Sequence, residues 1–166
     1  MAPEFTTERL HLRNWRESDT DAFHAFYRDP KSEAIYGGDV QRSDVWRRIA
    51  LFIGHWQIRG YGIWALEDRA SGTFAGYCGL WFPDGWDDPE IGWGIVPQFR
   101  GQGYAGEAAS RARAFGFGEK QLPRLVSYIN PVNAASIRVA EKLGATRDGE
   151  FVMHGKPHHV YRHHPN

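Results

Sequence analysis

The stretch Arg100-Gly-Gln-Gly-Tyr-Ala-Gly106 decides how the rest of the chain is interpreted. Its three glycines have the spacing G-x-G-x-x-G, and an alanine-rich segment follows them. Glycines let the backbone approach an anion closely, and free N–H groups at a helix N-terminus point toward that anion. The stretch therefore predicts a phosphate-binding turn between a strand and a helix, formed by Arg100, Gly101, Gln102, Gly103, Tyr104, Ala105 and Gly106.

The glycine spacing alone also fits a nicotinamide or flavin dinucleotide fold, or a tight helix entry without a ligand. The dinucleotide fold is disfavoured because the turn follows an antiparallel section and because four residues, 97–100, separate it from the strand. The next strand also ends in Asn130, where that fold needs an acidic ribose partner. A turn without a ligand would not need three glycines beside an arginine.

The periodicity of apolar residues gives the remaining elements. Before the turn we predict a strand at Leu10–Arg13, then a helix that begins at Ser18 or Asp19 and ends at Asp29-Pro30, and then a loop over residues 31–43. A second helix follows at Val45–Ile58 and is capped by Gly60. The next strands are a hairpin of Tyr61–Leu66 and Thr73–Leu80 and a strand at Glu90–Val96. After it we predict a helix at Gly103–Phe117, a strand at Leu125–Ile129, a helix at Asn133–Leu143 and two strands within Thr146–Arg162. This order predicts one α+β domain over residues 1–166, a mixed sheet with helices on its faces.

The composition limits the possible partners. Twenty basic and 20 acidic residues give a formal net charge of zero, so neither nucleic acid nor an anionic membrane is an expected partner. Cys78 is the single cysteine and has no internal disulfide partner, which fits a reducing, cytoplasmic setting. The chain has no apolar run approaching ~18 residues, so no membrane span is expected. A monomer and a homodimer both fit these features.

Three segments carry a joint pattern: Glu90-Ile-Gly-Trp-Gly-Ile-Val-Pro-Gln-Phe-Arg100-Gly-Gln-Gly-Tyr-Ala-Gly-Glu-Ala-Ala109, Asn130-Pro-Val-Asn133-Ala-Ala-Ser136-Ile-Arg-Val-Ala-Glu-Lys-Leu-Gly144 and Thr7-Glu-Arg-Leu-His-Leu-Arg13. This pattern resembles the GNAT superfamily of N-acetyltransferases, and most of all its branch of Rim-type acetylases of ribosomal-protein N-termini. The family's cofactor motif, (Gln or Arg)-x-x-Gly-x-(Gly or Ala), corresponds to Arg100, Gly103 and Ala105. The resemblance covers nearly the whole chain and is more specific than the glycines alone.

The resemblance implies the GNAT fold, a twisted, mixed and mostly antiparallel sheet whose fourth and fifth strands splay apart. Those strands are Glu90–Val96 and Leu125–Ile129. Acetyl-CoA would be the cosubstrate, without a metal ion, with its diphosphate on residues 100–106 and its pantetheine arm in the gap. Gly92 and Gly94 fit a bulge in the first of these strands, or close packing under Trp93.

Acetyl transfer to an amine needs a neutral amine, a thioester carbon held near it and stabilisation of the developing oxyanion. By resemblance, backbone amides from Gly94 to Val96 bind the oxyanion, which places Ile95 and Val96 at the cofactor. Glu90 is the candidate base, because apolar neighbours would partly bury its carboxyl and raise its pKa. The alternative role for Glu90 is an ion pair with an arginine at the strand end.

The candidate acid departs from the common family pattern. Many members carry a tyrosine seven residues after the motif asparagine, and that position here is Ala140. Ser136 lies where some Rim-type enzymes are thought to protonate the sulfur, and its alternative role is a hydrogen bond to its own helix. Because a thiol with a pKa near ~8.5 leaves readily, an acid contributes little. Asn133 is predicted to cap the last helix and, by resemblance, to contact the cofactor arm.

Other features leave alternatives open. Tyr36, Trp81, Phe82 and Trp86 are candidates for the wall of an acceptor pocket, or for the core or a dimer contact. Histidines near the C-terminus alternate along a predicted strand, which disfavours a metal site. The acceptor is a protein or peptide N-terminus or a small-molecule amine. The rival function is a non-catalytic module that senses acyl-CoA. The C-terminal histidines considered for a metal site are His154, His158, His159, His163 and His164.

Overall fold

The structure, a computed structural model, describes residues 1–153 and 155–165. Its eight-stranded sheet has the order β1-β2-β3-β4-β5-β6-β8-β7. The strands are β1 (Phe5–Thr6), β2 (Leu10–Arg13), β3 (Ile63–Asp68), β4 (Phe74–Trp81), β5 (Glu90–Ile95), β6 (Leu125–Ile129), β7 (Thr146–Met153) and β8 (Lys156–His163). The helices are α1 (Thr20–Arg28), α2 (Pro30–Tyr36), α3 (Arg42–Arg59), α4 (Tyr104–Ala114) and α5 (Ala134–Lys142). The α+β architecture is confirmed.

Helix α2 corrects one prediction, since residues 31–43 were expected to form a loop. Asp29 caps this helix by accepting a hydrogen bond from the Ser32 amide at 3.1 Å, and Pro30 occupies its first turn. The dipeptide Asp29-Pro30 thus ends α1 and also begins α2, because proline has no N–H to lose at a helix start. The short strand β1 was not predicted either, because two residues are too few to show periodicity.

The sheet is covered on both faces. Along β3 the buried side chains alternate: Trp64 and Leu66 belong to the core under α4, whereas Ile63 and Ala65 belong to the core under α1 and α3. Three alanines of α4 are fully buried against the first core, and their small size lets this helix lie close to the sheet. The N-terminus of α4 is consequently held at a fixed place beside the end of β5.

Strands β5 and β6 separate almost at once. They are the fourth and fifth strands of the prediction, which did not include β1. Their parallel pairing consists of the single pair Glu90 and Val126, and the Val126 amide donates to the Pro89 carbonyl at 3.0 Å. The buried hydroxyl of Ser127 then donates to the Ile91 carbonyl at 2.7 Å. The predicted splay is therefore confirmed, and it begins directly after Glu90.

The register between β4 and β5 determines which β5 amides face the gap. The Val96 amide donates to the Ala75 carbonyl at 3.0 Å. Because such positions alternate in an antiparallel ladder, the Gly94 amide also faces β4, whereas the amides of Trp93 and Ile95 face the gap. This register is continuous along β5. The predicted bulge at Gly92 and Gly94 is therefore wrong, and Gly94 serves the packing described below.

Candidate active site

The turn before α4 presents a row of free backbone amides. Gly101 and Gly103 have φ values of +73° and +86°, a conformation that favours glycine. In the described part of the chain, no acceptor bonds the amides of residues 101–106, and the first bonded amide of α4 is that of Glu107. Six consecutive donors at a helix N-terminus form the kind of site that binds a diphosphate. The geometry agrees with the predicted role of residues 101–106.

The side chain of Arg100 is not directed at this site. Its guanidinium pairs with Asp29 at 2.6 Å, donates to the Ser32 hydroxyl at 2.9 Å and donates through Nε to the Ile95 carbonyl at 2.9 Å. The predicted phosphate contact of the Arg100 side chain is not among these bonds. Arg100 instead ties the end of β5 to the start of α2, so a diphosphate contact of its side chain finds no support in this arrangement.

Two further side chains anchor the turn from below. The buried Tyr104 hydroxyl donates to Asp68 at 2.8 Å, which leaves only its backbone amide for a ligand. Arg9 donates through Nη1 to the Gln102 carbonyl at 2.6 Å and through Nε to Glu107 at 2.8 Å. No local pattern predicts the contact between Arg9 and Gln102, because the two residues lie 93 positions apart in the chain.

An open cavity of about 710 Å³ lies beside the splayed strands. It is lined by Glu90 and Gly92 of β5, by Asn130 after β6, and by Asn133 and Ser136 at the start of α5. Residues that are up to 46 positions apart in the chain thus share one surface, and both predicted catalytic side chains belong to it. The turn at residues 100–106 is not part of the cavity lining, so a molecule that uses both sites must extend between them.

Glu90 faces this cavity without a cation partner. None of the ion pairs in the described part of the chain involves its carboxyl, so the alternative role in an arginine pair is not observed. Burial raises the pKa of Glu90 to about 8, opposed in part by a hydrogen bond from the Tyr128 amide. A carboxylate of raised pKa that borders a cavity is a stronger base than a solvated one. The expected direction of this shift is confirmed.

Asn133 and Ser136 occupy the first turn of α5. The Asn133 side chain accepts from the Ser136 amide at 3.1 Å, so the predicted helix cap is confirmed. The Ser136 hydroxyl makes no hydrogen bond within residues 1–153 and 155–165, so it does not bond its own helix. It is therefore available to a ligand in the cavity.

Three backbone amides, those of residues 94–96, are expected to bind the oxyanion, and they face different sides of β5. The Ile95 amide faces the gap, whereas the Gly94 and Val96 amides face β4. The Val96 amide, which was expected to contact the cofactor, is already bonded to Ala75 at 3.0 Å. Ile95 is consequently the donor that the geometry favours, and contact of Val96 with the cofactor stays a prediction without a free amide to support it.

Aromatic side chains form much of the cavity wall. Tyr36, Trp81 and Trp86 line it as predicted, whereas Phe82 packs against the core under α4 with the Arg59 guanidinium 4.8 Å from its ring centre. Sequence reasoning missed Tyr77, whose hydroxyl donates to the Tyr36 hydroxyl at 3.2 Å. Tyr77 gives no sequence signal of this role, because its place in the cavity depends on a glycine of the neighbouring strand.

That glycine is Gly94. A Cβ atom at this position would lie 2.4 Å from Cε1 of Tyr77 and 3.0 Å from Cζ of Phe26. The absence of a side chain therefore lets the Tyr77 ring lie across β5 and reach the cavity. Close packing at Gly94 is therefore confirmed, but the ring that packs there is Tyr77 and not the expected Trp93.

The C-terminal histidines have separate neighbourhoods. The buried His163 contacts the Ser127 hydroxyl at 2.9 Å, the His164 ring contacts Thr146 at 2.9 Å, and His158 lines the cavity. His154 lies outside the described residues. Within residues 1–153 and 155–165 no three potential metal ligands form a group, and no helix is long and apolar enough to cross a bilayer.

Comparison with known proteins agrees with this geometry. Residues 9–146 match the model of the acetyltransferase (GNAT) domain family. The uncharacterized protein YkkB of Bacillus subtilis (strain 168) is 33% identical over 169 residues, which cover 95% of this chain and 94% of YkkB. The crystal structure of an acetyltransferase from Agrobacterium tumefaciens str. C58 has a TM-score of 0.89 at 31% identity, with 99% of this chain and 96% of that chain covered.

A more distant structure has a bound cofactor. It is a RimL ribosomal L7/L12 alpha-N-protein acetyltransferase in complex with coenzyme A, with a TM-score of 0.76, 20% identity and 96% of each chain covered. At this identity the likeness shows a shared fold and carries no acceptor from one protein to the other.

Proposed function

Because this chain belongs to the GNAT acetyltransferase family, we propose that it transfers acetyl from acetyl-CoA to an amine held beside Glu90, by direct attack in a ternary complex. GNAT acetyltransferases use acetyl-CoA and act on amines, so the reaction class follows from family membership. The observation that supports the site is that Glu90 and Ser136 share one cavity where β5 and β6 part.

The cofactor would extend from the turn to this cavity. The free amides of residues 101–106 would bind the diphosphate, and the exposed edges of β5 and β6 would hydrogen-bond the pantetheine arm. The thioester would then lie near the Ile95 amide, which faces the gap and has no ladder partner there. Asn133, whose Oδ1 is used by the helix cap, retains its amide N–H groups for the same arm.

Glu90, the Ile95 amide and Ser136 can together account for the proton transfers and the developing charge of the acetyl transfer. The neutral amine attacks the thioester carbon and forms the C–N bond, and its proton passes to Glu90 directly or through water. The tetrahedral oxyanion accepts a hydrogen bond from the Ile95 amide. Collapse breaks the C–S bond and expels the CoA thiolate, which takes a proton from solvent directly or through the Ser136 hydroxyl, which is reprotonated from solvent in the same step. Because a thiolate is a good leaving group, Ser136 contributes less than Glu90.

The test is thiol release from acetyl-CoA with a panel of small amines and peptides with free N-termini. We expect Glu90→Gln to lower kcat/KM by roughly 10²–10⁴, as for loss of a general base, and Ser136→Ala to lower it by less than about tenfold. Asp84→Asn is the matched control, because this carboxylate also lines the cavity but is exposed. CoA binding without acetylation of any amine would favour the sensor function and overturn the proposal.

A further inference from the structure

The acceptor cavity contains a cation that the transfer reaction does not use. Arg48 of α3 lines the cavity together with Tyr36, Tyr77 and Glu90. Its guanidinium donates to the buried Tyr27 hydroxyl at 2.5 Å and lies 4.9 Å from the centre of the Tyr27 ring. Arg48 is exposed, but these two contacts hold its planar group against the Tyr27 side chain.

Most of the hydrogen-bonding capacity of Arg48 remains open. A guanidinium has five N–H donors, and the Tyr27 hydroxyl accepts one of them. In the described part of the chain no carboxylate pairs with Arg48, whereas Arg47 on the preceding position of the same helix pairs with Asp44 at 2.7 Å. Arginine is suited to a carboxylate or phosphate because its N–H groups match two oxygens at once.

The charges of the cavity favour the same kind of ligand. Besides Glu90, which serves as the base, the charged residues of its lining are Arg48, Lys156 and Asp84, and all three are exposed. Glu90, Arg48 and Arg100 all act electrostatically on the Tyr36 hydroxyl, so Glu90 and Arg48 lie within electrostatic range of the same cavity residue. Because Glu90 and Arg48 line the same cavity, an acceptor whose amine is next to Glu90 has Arg48 on the wall that surrounds the remainder of its structure.

We propose that Arg48 forms an anion subsite, so that the preferred acceptor is an amine that also carries a carboxylate or phosphate group. This inference rests on the proposed function for the position of the amine, and it adds the chemical class of the acceptor. Arg48 is then a specificity-determining residue: it binds the anionic group and takes no part in the proton transfers. Tyr27 is its positioning residue.

Binding can be measured without turnover, with the enzyme saturated with CoA instead of acetyl-CoA. The probes are ω-amino carboxylic acids with two to six carbons, their primary amides, and the aminoalkyl phosphates of the same lengths. We expect at least one chain length at which the acid or phosphate binds about tenfold or more tightly than the amide, as for a charge-assisted pair. The acid and phosphate arms show which anion the subsite prefers.

Three variants test whether Arg48 is the cause. Arg48→Met should bring the ratio of acid to amide affinity close to one while amide affinity stays unchanged. Tyr27→Phe keeps the charge but removes its hydroxyl partner, and should lower the ratio partly. Arg47→Met is the matched control and should preserve the wild-type ratio. A thermal unfolding curve for each variant shows that the fold is retained.

The outcomes separate the two proposals. An unmodified protein that binds acids and amides equally at every length, or an Arg48→Met variant that keeps the preference, overturns the anion subsite whatever the transfer activity. Discrimination that depends on Arg48, combined with no acetylation of any probe by acetyl-CoA, overturns the proposed function and leaves the subsite standing. Acetylation of acids and amides at equal kcat/KM supports the proposed function and overturns the anion subsite.

Discussion

Glu90 lies where the gap between β5 and β6 begins, because it is the β5 residue that pairs with β6, and its side chain also borders the cavity. Its pKa of about 8 means that near neutral pH most molecules hold the protonated carboxyl, which cannot accept the amine proton. The active fraction therefore increases as the pH rises.

We predict that kcat/KM for a weakly basic amine rises with pH and levels off above about pH 8. The acceptor needs its own pKa below roughly 6, so that it stays neutral over the whole range and Glu90 is the group that titrates. Initial rates measured between pH 6 and 10 give the pH profile of kcat/KM, which is fitted to a single ionisation. A Glu90→Gln profile that keeps the same rise would assign the ionisation to another group.

Gly94 determines whether Tyr77 reaches the cavity. We predict that Gly94→Ala lowers the free energy of unfolding by about 1–3 kcal/mol, the usual cost of overpacking, since its Cβ would meet the Tyr77 ring. Urea unfolding measures the change. Gly92→Ala is the matched control two residues away, because a Cβ there has its nearest neighbour, the Glu90 carboxyl, at 3.7 Å. Equal losses for the two variants would contradict the packing explanation.

Helix α4 packs its alanines into the core, whereas the turn at its N-terminus, where we propose that the cofactor binds, is less tightly packed. The turn conformation requires a positive φ at Gly101, where a Cβ would have no neighbour within 4 Å. A substitution at this position therefore changes the backbone preference and leaves the core packing intact. The same is true of Gly72 in the β3–β4 hairpin, with φ of +67°.

We predict that Gly101→Ala weakens CoA binding at least about tenfold, because the row of amides loses its alignment when the backbone relaxes. Gly72→Ala carries a similar left-handed strain of roughly 1 kcal/mol and should leave the CoA affinity unchanged. Isothermal titration of CoA into both variants gives the two dissociation constants. An affinity loss of the same size in both would show that general destabilisation, and not the turn, is responsible.

The sequence predicted elements better than it predicted partners. The helix cap at Asn133 and the amide turn are expected because each depends on a local pattern or on a motif, whereas the splay is expected from the family resemblance. The role of Arg100 and the contact between Gly94 and Tyr77 depend on residues that lie 71 and 17 positions away. Local periodicity carries no information about such pairs. Helix α2 was missed for a different reason, since Asp29-Pro30 was interpreted as a stop signal alone.

The molecule as a whole should respond to the cofactor as one unit, because the turn, the gap and the cavity all adjoin β5. We predict that CoA at about 100 times its Kd adds about 2.7 kcal/mol of stability. For a domain of this size that raises Tm by roughly 5–10 °C. Thermal unfolding with increasing CoA measures the shift, and adenosine is the control ligand because it lacks the diphosphate and the thiol-bearing arm. A shift no larger with CoA than with adenosine would show that the amide turn and the gap between β5 and β6 do not bind the cofactor.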